Sequence, residues 1–201
     1  CMIKKILPIL LISSCSYISY GQLPELIVQS VRGAPDIAIT DNFLEQQQYS
    51  FAKFKMGKSV IAITVLAEIK GDTFVWISQD REKIYTKHGK IIETVGLSHD
   101  IKILDHENIV PWQSRLSASS LVQVSNPSAI ISQDIKIKAS TENDLNGSKR
   151  QHDTFHEHFS SGRLSWSGIN SFEINEEGLP VRSEQFIHPA LPKIEMDFFY
   201  K

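Results

Sequence analysis

Three histidines within seven positions, His152, His156 and His158, are the residues of this chain best spaced for chemistry. On a strand they would project from one face, with 156 and 158 about 7 Å apart at Cα, a separation that lets two imidazoles share a metal ion. Glu157 would then point the other way, which withdraws the carboxylate a zinc hydrolase needs. The stretch also follows a polar Asn146-Gly147 turn and offers little apolar packing to lock rotamers. Exposed edge or loop histidines are therefore the preferred reading, with metal binding as the alternative. Asp100, Asp105, His106 and Glu107 supply acid and base types, but no spacing selects a pair among them. The sequence contains no Gly-x-Ser-x-Gly, phosphate loop, dinucleotide fingerprint or His-Glu-x-x-His helix. No catalytic residue and no cofactor is expected. Of the three tryptophans, Trp76 and Trp166 fall inside strand patterns and read as core or rim. Trp112, beside Pro111 in the least patterned segment, reads as an exposed ring available to the apolar face of a sugar.

The elements that must position these residues are strands. From Gln48 the hydrophobic period is two, with Tyr49, Phe51, Phe54 and Met56 preceding a Gly57-Lys58 turn. Val60 to Ile69, Thr73 to Ser78, Ile84 to Thr86, Lys90 to Val95 and Ile101 to Leu104 continue the series, separated by turns such as Gly71-Asp72 and His88-Gly89. Residues 105 to 120 read as a loop or short helix. A second series follows: Val122 to Val124, Ile130 to Ala139, Gln151 to Phe159, Leu164 to Ile174, Val181 to His188 and Lys193 to Tyr200. Ile135, Ile137 and Ala139 alternate with Lys136, Lys138 and Ser140, the mark of one buried and one wet face. Leu23, Leu26, Ile27 and Val31 have helical spacing, and Gly33 with Pro35 supplies a stop. The expected fold is mainly β, a curved antiparallel sheet forming a half-open barrel or sandwich, with a short N-terminal helix.

The 201 residues are 41% hydrophobic and 22% charged, with a formal net charge of -2, a composition that excludes collagen, low-complexity disorder and a polytopic membrane protein. Twenty-one basic against 23 acidic residues leave no basic field, so a nucleic-acid partner is not expected. Lys4 and Lys5, the apolar Ile6 to Ile12, and Ser13-Ser14 before Cys15 read as a secretory signal over 1–14, too short for a membrane span. Cys1 before Met2 reads as an artefact of numbering. Ile12-Ser13-Ser14-Cys15 resembles a bacterial lipobox, in which the cysteine thiol receives a diacylglyceryl group and becomes the first residue. Removing 1–14 deletes two lysines and no acid, so the expected mature chain carries -4. It would consist of an acylated spacer over 15–22 and one β domain over 23–201, held on the membrane through Cys15 with no free thiol left.

Several stretches carry a family resemblance: Tyr49-Ser50, the Val60 to Ile69 strand, Trp76-Ile77-Ser78-Gln79-Asp80 and, most specifically, His88 to Ile101. They resemble the YjbF or GfcB family of group 4 capsule lipoproteins, whose central signature is similar to Gly-Arg-Ile/Leu-x-x-Thr-x-Gly-Leu-x-x-Asp-Leu. Here Lys90 replaces Arg and Ile101 replaces the final Leu. Asn170-Ser171-Phe172-Glu173-Ile174-Asn175 and Gly178-Leu179-Pro180-Val181-Arg182-Ser183-Glu184-Gln185 are similar to the family's later hairpin, with Glu173 where Trp is frequent. The resemblance implies a lipid-anchored, periplasm-facing outer-membrane protein, accessory to capsule or exopolysaccharide assembly or export and non-catalytic. Its implied partners are the membrane, an outer-membrane β-barrel protein of the same system, and polysaccharide. Two other readings stay open: a periplasmic metal-dependent glycan-modifying hydrolase using His152, His156 and His158, and a carrier that shelters a lipid-linked intermediate in an apolar cavity.

Overall fold

The computed structural model of the protein describes residues 40–201 other than 60, 116 and 141–151. The expected signal, Cys15, the spacer and the helix over 23–31 lie outside the described residues. A short helix, α1 (Asp41–Gln46), precedes twelve strands: β1 (Phe51–Met56), β2 (Ala62–Lys70), β3 (Thr73–Ser78), β4 (Lys83–Lys87), β5 (Lys90–Val95), β6 (Ile101–Ile103), β7 (Ala118–Val124), β8 (Ala129–Ala139), β9 (His152–Ser161), β10 (Trp166–Asn175), β11 (Pro180–Gln185) and β12 (Ile194–Phe199). Each strand pairs antiparallel with its neighbours in sequence, so the strand series expected from the period of two is present throughout.

The sheet is closed. β12 pairs with β1 from Phe51↔Phe199 to Met56↔Ile194, where the sequence suggested a half-open barrel or sandwich. An open edge six residues long would leave a row of unpaired N–H and C=O groups, and closure satisfies them. Register irregularities at Leu66/Glu68, Tyr85/Thr86 and Glu173/Ile174 mark β-bulges or breaks in the ladder, places where strands bend. At the two-residue turn between β4 and β5 both His88 and Gly89 have positive φ, 51° and 82°, the geometry that matches a hairpin's twist. A Cβ on Gly89 would lie 2.7 Å from the Pro180 Cβ, so only glycine fits under β11.

Twelve strands enclose more room than eight, and the space is filled unevenly. One apolar cluster includes Trp76, Ile84, Ile91, Ile194, Met196 and Phe198; a second consists of Trp112, Phe155, Phe172 and Ile174. The Trp76 indole N–H donates to Thr86 Oγ1 at 2.9 Å, so the buried ring has its polar atom paired. Polar side chains are buried as well: Lys90, Gln133, Glu157, Asn170, Ser183 and Gln185 are each less than 9% exposed. Gln185 on β11 crosses the interior to β5. Its Oε1 accepts from the Ile91 N–H at 2.9 Å, and its Nε2 donates to Gly89 O at 2.9 Å and to Ser183 Oγ at 3.0 Å. Two of the stretches that carried the family resemblance, His88 to Ile101 and Gly178 to Gln185, thus meet through one amide.

The segment expected to be a loop or short helix, 105 to 120, makes two single 3-10 turns, His106–Asn108 and Trp112–Ser114, and its last three residues already belong to β7.

Candidate functional site

Along β9 the inward positions are Phe155, Glu157, Phe159 and Ser161, so the pleat that buries two phenylalanines also carries a carboxylate into the barrel. A buried carboxylate is tolerated only with partners. Glu157 Oε2 lies 2.6 Å from Lys90 Nζ, and its Oε1 accepts from Asn170 Nδ2 at 3.0 Å across the β9–β10 register. Asn170 Oδ1 in turn accepts from the Phe186 N–H at 2.8 Å. Lys90 stands where the resemblance has Arg, and it keeps the positive charge on Glu157.

Arg115, just past the second 3-10 turn, is the other cation. Its Nε donates to Val110 O at 3.1 Å, and its guanidinium carbon sits 3.5 Å from the Trp112 ring centroid. Nη1 is 3.9 Å from Glu157 Oε2, too far for a hydrogen bond, and Nη2 is buried with no partner among the described residues. Burial pushes the guanidinium down to about 10, against the opposing pull of Glu157, so it stays charged at neutral pH. Beside it opens a cavity of about 340 Å³, lined by Lys90, Asp105, Asn108, Arg115, Ser120 and Glu157 together with apolar Val110 and Ile135. Asp105 is engaged within the wall: its Oδ1 accepts from Ser120 Oγ at 2.9 Å and from the Leu121 N–H at 3.2 Å.

Trp112 was expected as an exposed ring and is instead 2% exposed. It stacks on Phe172 with centroids 4.1 Å apart, lies 5.9 Å from Phe155, and donates its indole N–H to His88 O at 2.8 Å. The irregular backbone around Pro111 folds the ring inward, where it buries a large apolar area and satisfies its one donor. It supports Arg115 rather than presenting a face to solvent. Trp76 is core, as its strand pattern suggested, and Trp166 is half-buried against Phe159.

His152, His156 and His158 do share one face of β9, opposite Glu157, and each is partly exposed. In register beside them stand cations: His156 pairs with Lys138 and His158 with Lys136. Two ammonium groups next to two imidazoles repel a metal ion. Among the described residues no group of three or more His, Cys, Asp or Glu gathers to hold one. Of the acid–base candidates, only Asp105 reaches the cavity. Asp100 caps the loop after β5, accepting from Thr94 Oγ1, the Gly96 N–H and the Leu97 N–H at 2.9 to 3.0 Å. His106 Nδ1 bonds Ile103 O at 3.0 Å, and the Glu107 carbonyl accepts from Lys87.

Sequence reasoning missed Arg115, Lys90 and the inward role of Glu157. The available signal was a charged residue at an inward position, Glu157 between Phe155 and Phe159. Arg115 had none, because the irregular segment gives no register to read.

No curated protein matches the chain. Among solved structures, the crystal structure of the hypothetical lipoprotein YmcC from Escherichia coli (K12) is similar in fold, with a TM-score of 0.68 and 18% identity, covering 91% of this chain and 96% of that one. The family described as group 4 capsule polysaccharide lipoprotein gfcB, YjbF, matches residues 25–199, the whole of the barrel included. With that span matched from before α1 to the end of β12, the chain belongs to the YjbF family of group 4 capsule polysaccharide lipoproteins.

Proposed function

We propose that this chain is a non-catalytic accessory lipoprotein of capsule or exopolysaccharide assembly or export. In this reading the signal over 1–14 is removed and Cys15 is acylated. The barrel is then held at the outer membrane facing the periplasm, where it binds an outer-membrane β-barrel partner and glycan. The family match over 25–199 is the observation that carries it, and the lipobox-like Ile12-Ser13-Ser14-Cys15 supports the anchor. Two features weigh against the other readings. The lysines beside His156 and His158 oppose a metal-dependent hydrolase. The charged lining of the cavity opposes a carrier that shelters a lipid chain, because acyl methylenes gain little against Lys90, Arg115 and Glu157.

The test is deletion in the producing organism with surface polysaccharide quantified, complemented by the full chain and by Cys15→Ala. The reading expects loss on deletion, recovery with the full chain and poor recovery with Cys15→Ala. Unchanged surface polysaccharide on deletion, where the barrel partner is needed, overturns it.

A further inference from the structure

We propose that the cavity beside Arg115 is a binding site for the carboxylate of an acidic sugar residue. Two buried cations, Lys90 and Arg115, face a single buried carboxylate, and that carboxylate is already taken. Glu157 is bonded by Lys90 at 2.6 Å and by Asn170 at 3.0 Å, which leaves Arg115 at 3.9 Å, in an ion pair with Glu157 but with no hydrogen bond to it. The Arg115 side chain is only 9% exposed; among the described residues its Nε donates to Val110 O, and its buried Nη2 has no partner. A buried guanidinium with unpaired donors is costly unless something completes it, and a planar two-oxygen anion matches its fork. Asp105 lines the same cavity, but its Oδ1 is held by Ser120 and Leu121 and neither oxygen makes an ion pair or hydrogen bond with Arg115 among the described residues.

The rest of the cavity suits a sugar rather than a bare ion. The Asn108 amide and the accepting oxygen of the Ser120 hydroxyl can pair with sugar hydroxyls, Val110 and Ile135 give an apolar wall, and about 340 Å³ is near the lower end of ligand pockets, room for one or two sugar rings. Trp112, stacked between the Phe172 contact and the guanidinium, fixes Arg115 in place before any ligand arrives.

The inference rests on the polysaccharide role proposed above, and titration calorimetry on the full-length protein in detergent separates the two. The probes are glucuronate, digalacturonate, the neutral dimethyl ester of digalacturonate, and inorganic phosphate. Binding of a uronate is expected, at least about tenfold weaker for the ester, and weakened by a similar factor in Arg115→Met, which keeps a long stem over Trp112. His156→Gln should bind as the native chain does. No uronate binding, an ester that binds equally, or undiminished binding by a folded Arg115→Met overturns the site. Should Arg115→Met fail to fold, the ester comparison on the native chain decides alone. Phosphate binding as tightly as the uronates overturns the saccharide assignment. If deletion removes surface polysaccharide but no uronate binds, only the site falls; if uronate binds and deletion changes nothing, only the role falls.

Discussion

Strand β9 shows two faces of one short sequence, and they differ in what surrounds the same kinds of titratable group. Outward, His152, His156 and His158 carry the spacing associated with metal sites, yet they stand partly in water beside Lys136 and Lys138. Inward, a lone Glu157 between two phenylalanines is tied to Lys90, Asn170 and, more distantly, Arg115, next to a cavity. Residue types at a plausible spacing make the outer face look functional. Desolvation, together with donors left unpaired, makes the inner face so, because an unmet guanidinium in a low-dielectric interior interacts far more strongly than an imidazole in solvent.

The contrast should appear first in stability. Glu157→Leu leaves the Lys90 ammonium buried without its partner, so a loss of about 3–5 kcal/mol is expected in urea unfolding. Because a buried pair replaced as a whole by apolar residues is often near neutral, Lys90→Met combined with Glu157→Leu should regain much of that loss. A Glu157→Leu protein as stable as the native one would show that the inward charge is not buried in the way described.

Gln185→Leu comes next. It removes three hydrogen bonds and strands the Ile91 N–H and the Gly89 carbonyl inside the barrel. An unsatisfied buried group costs about 1–3 kcal/mol, so a loss of about 2–4 kcal/mol is expected by the same measurement. Little change would mean that β5 and β11 are not held together through this amide.

How much of this was legible beforehand follows from the physics of each part. The strand series could be read because half-buried strands alternate: Ile131, Gln133 and Ile135 go inward while Lys136 and Lys138 go outward. Closure was not legible, since pairing of β1 with β12 joins residues nearly 150 positions apart and leaves no local trace. The site was legible only in part. The inward direction of Glu157 follows from the period of two, but its partners come from β5, β10 and an irregular turn, and Arg115 and Trp112 lie where no period exists to say which way a side chain faces.

A smaller effect separates a buried histidine from the outer ones. His188 is 2% exposed, donates from Nε2 to Ser125 O at 3.1 Å and accepts at Nδ1 from the Ala190 N–H at 2.9 Å, which fixes the neutral form. Burial, with His99 at a ring separation of 4.9 Å, holds its pKa below the ordinary 6.5. The unfolded chain then takes up the proton first, so this contribution is complete above pH 6.5 and is lost as pH falls below it toward the folded value. The midpoint of unfolding should drop over that window. His188→Gln should flatten part of the slope, with His88, also lowered mainly by burial, supplying a remainder. An identical slope in His188→Gln would contradict the assignment.

The smallest effect belongs to the outer face. His152, His156 and His158 replaced together by Gln should change stability by no more than about 0.5 kcal/mol per site, and the native chain should retain no stoichiometric zinc after dialysis. Bound zinc, or a large loss on replacement, would reverse the comparison.

The most direct measurement is complementation of a deletion strain with two full-length variants, one carrying Arg115→Met and the other His152, His156 and His158 all changed to Gln, with surface polysaccharide quantified at matched protein levels. An inward working face predicts that the histidine variant restores the polysaccharide and that Arg115→Met does not. Full restoration by Arg115→Met, or failure of the histidine variant, would contradict it.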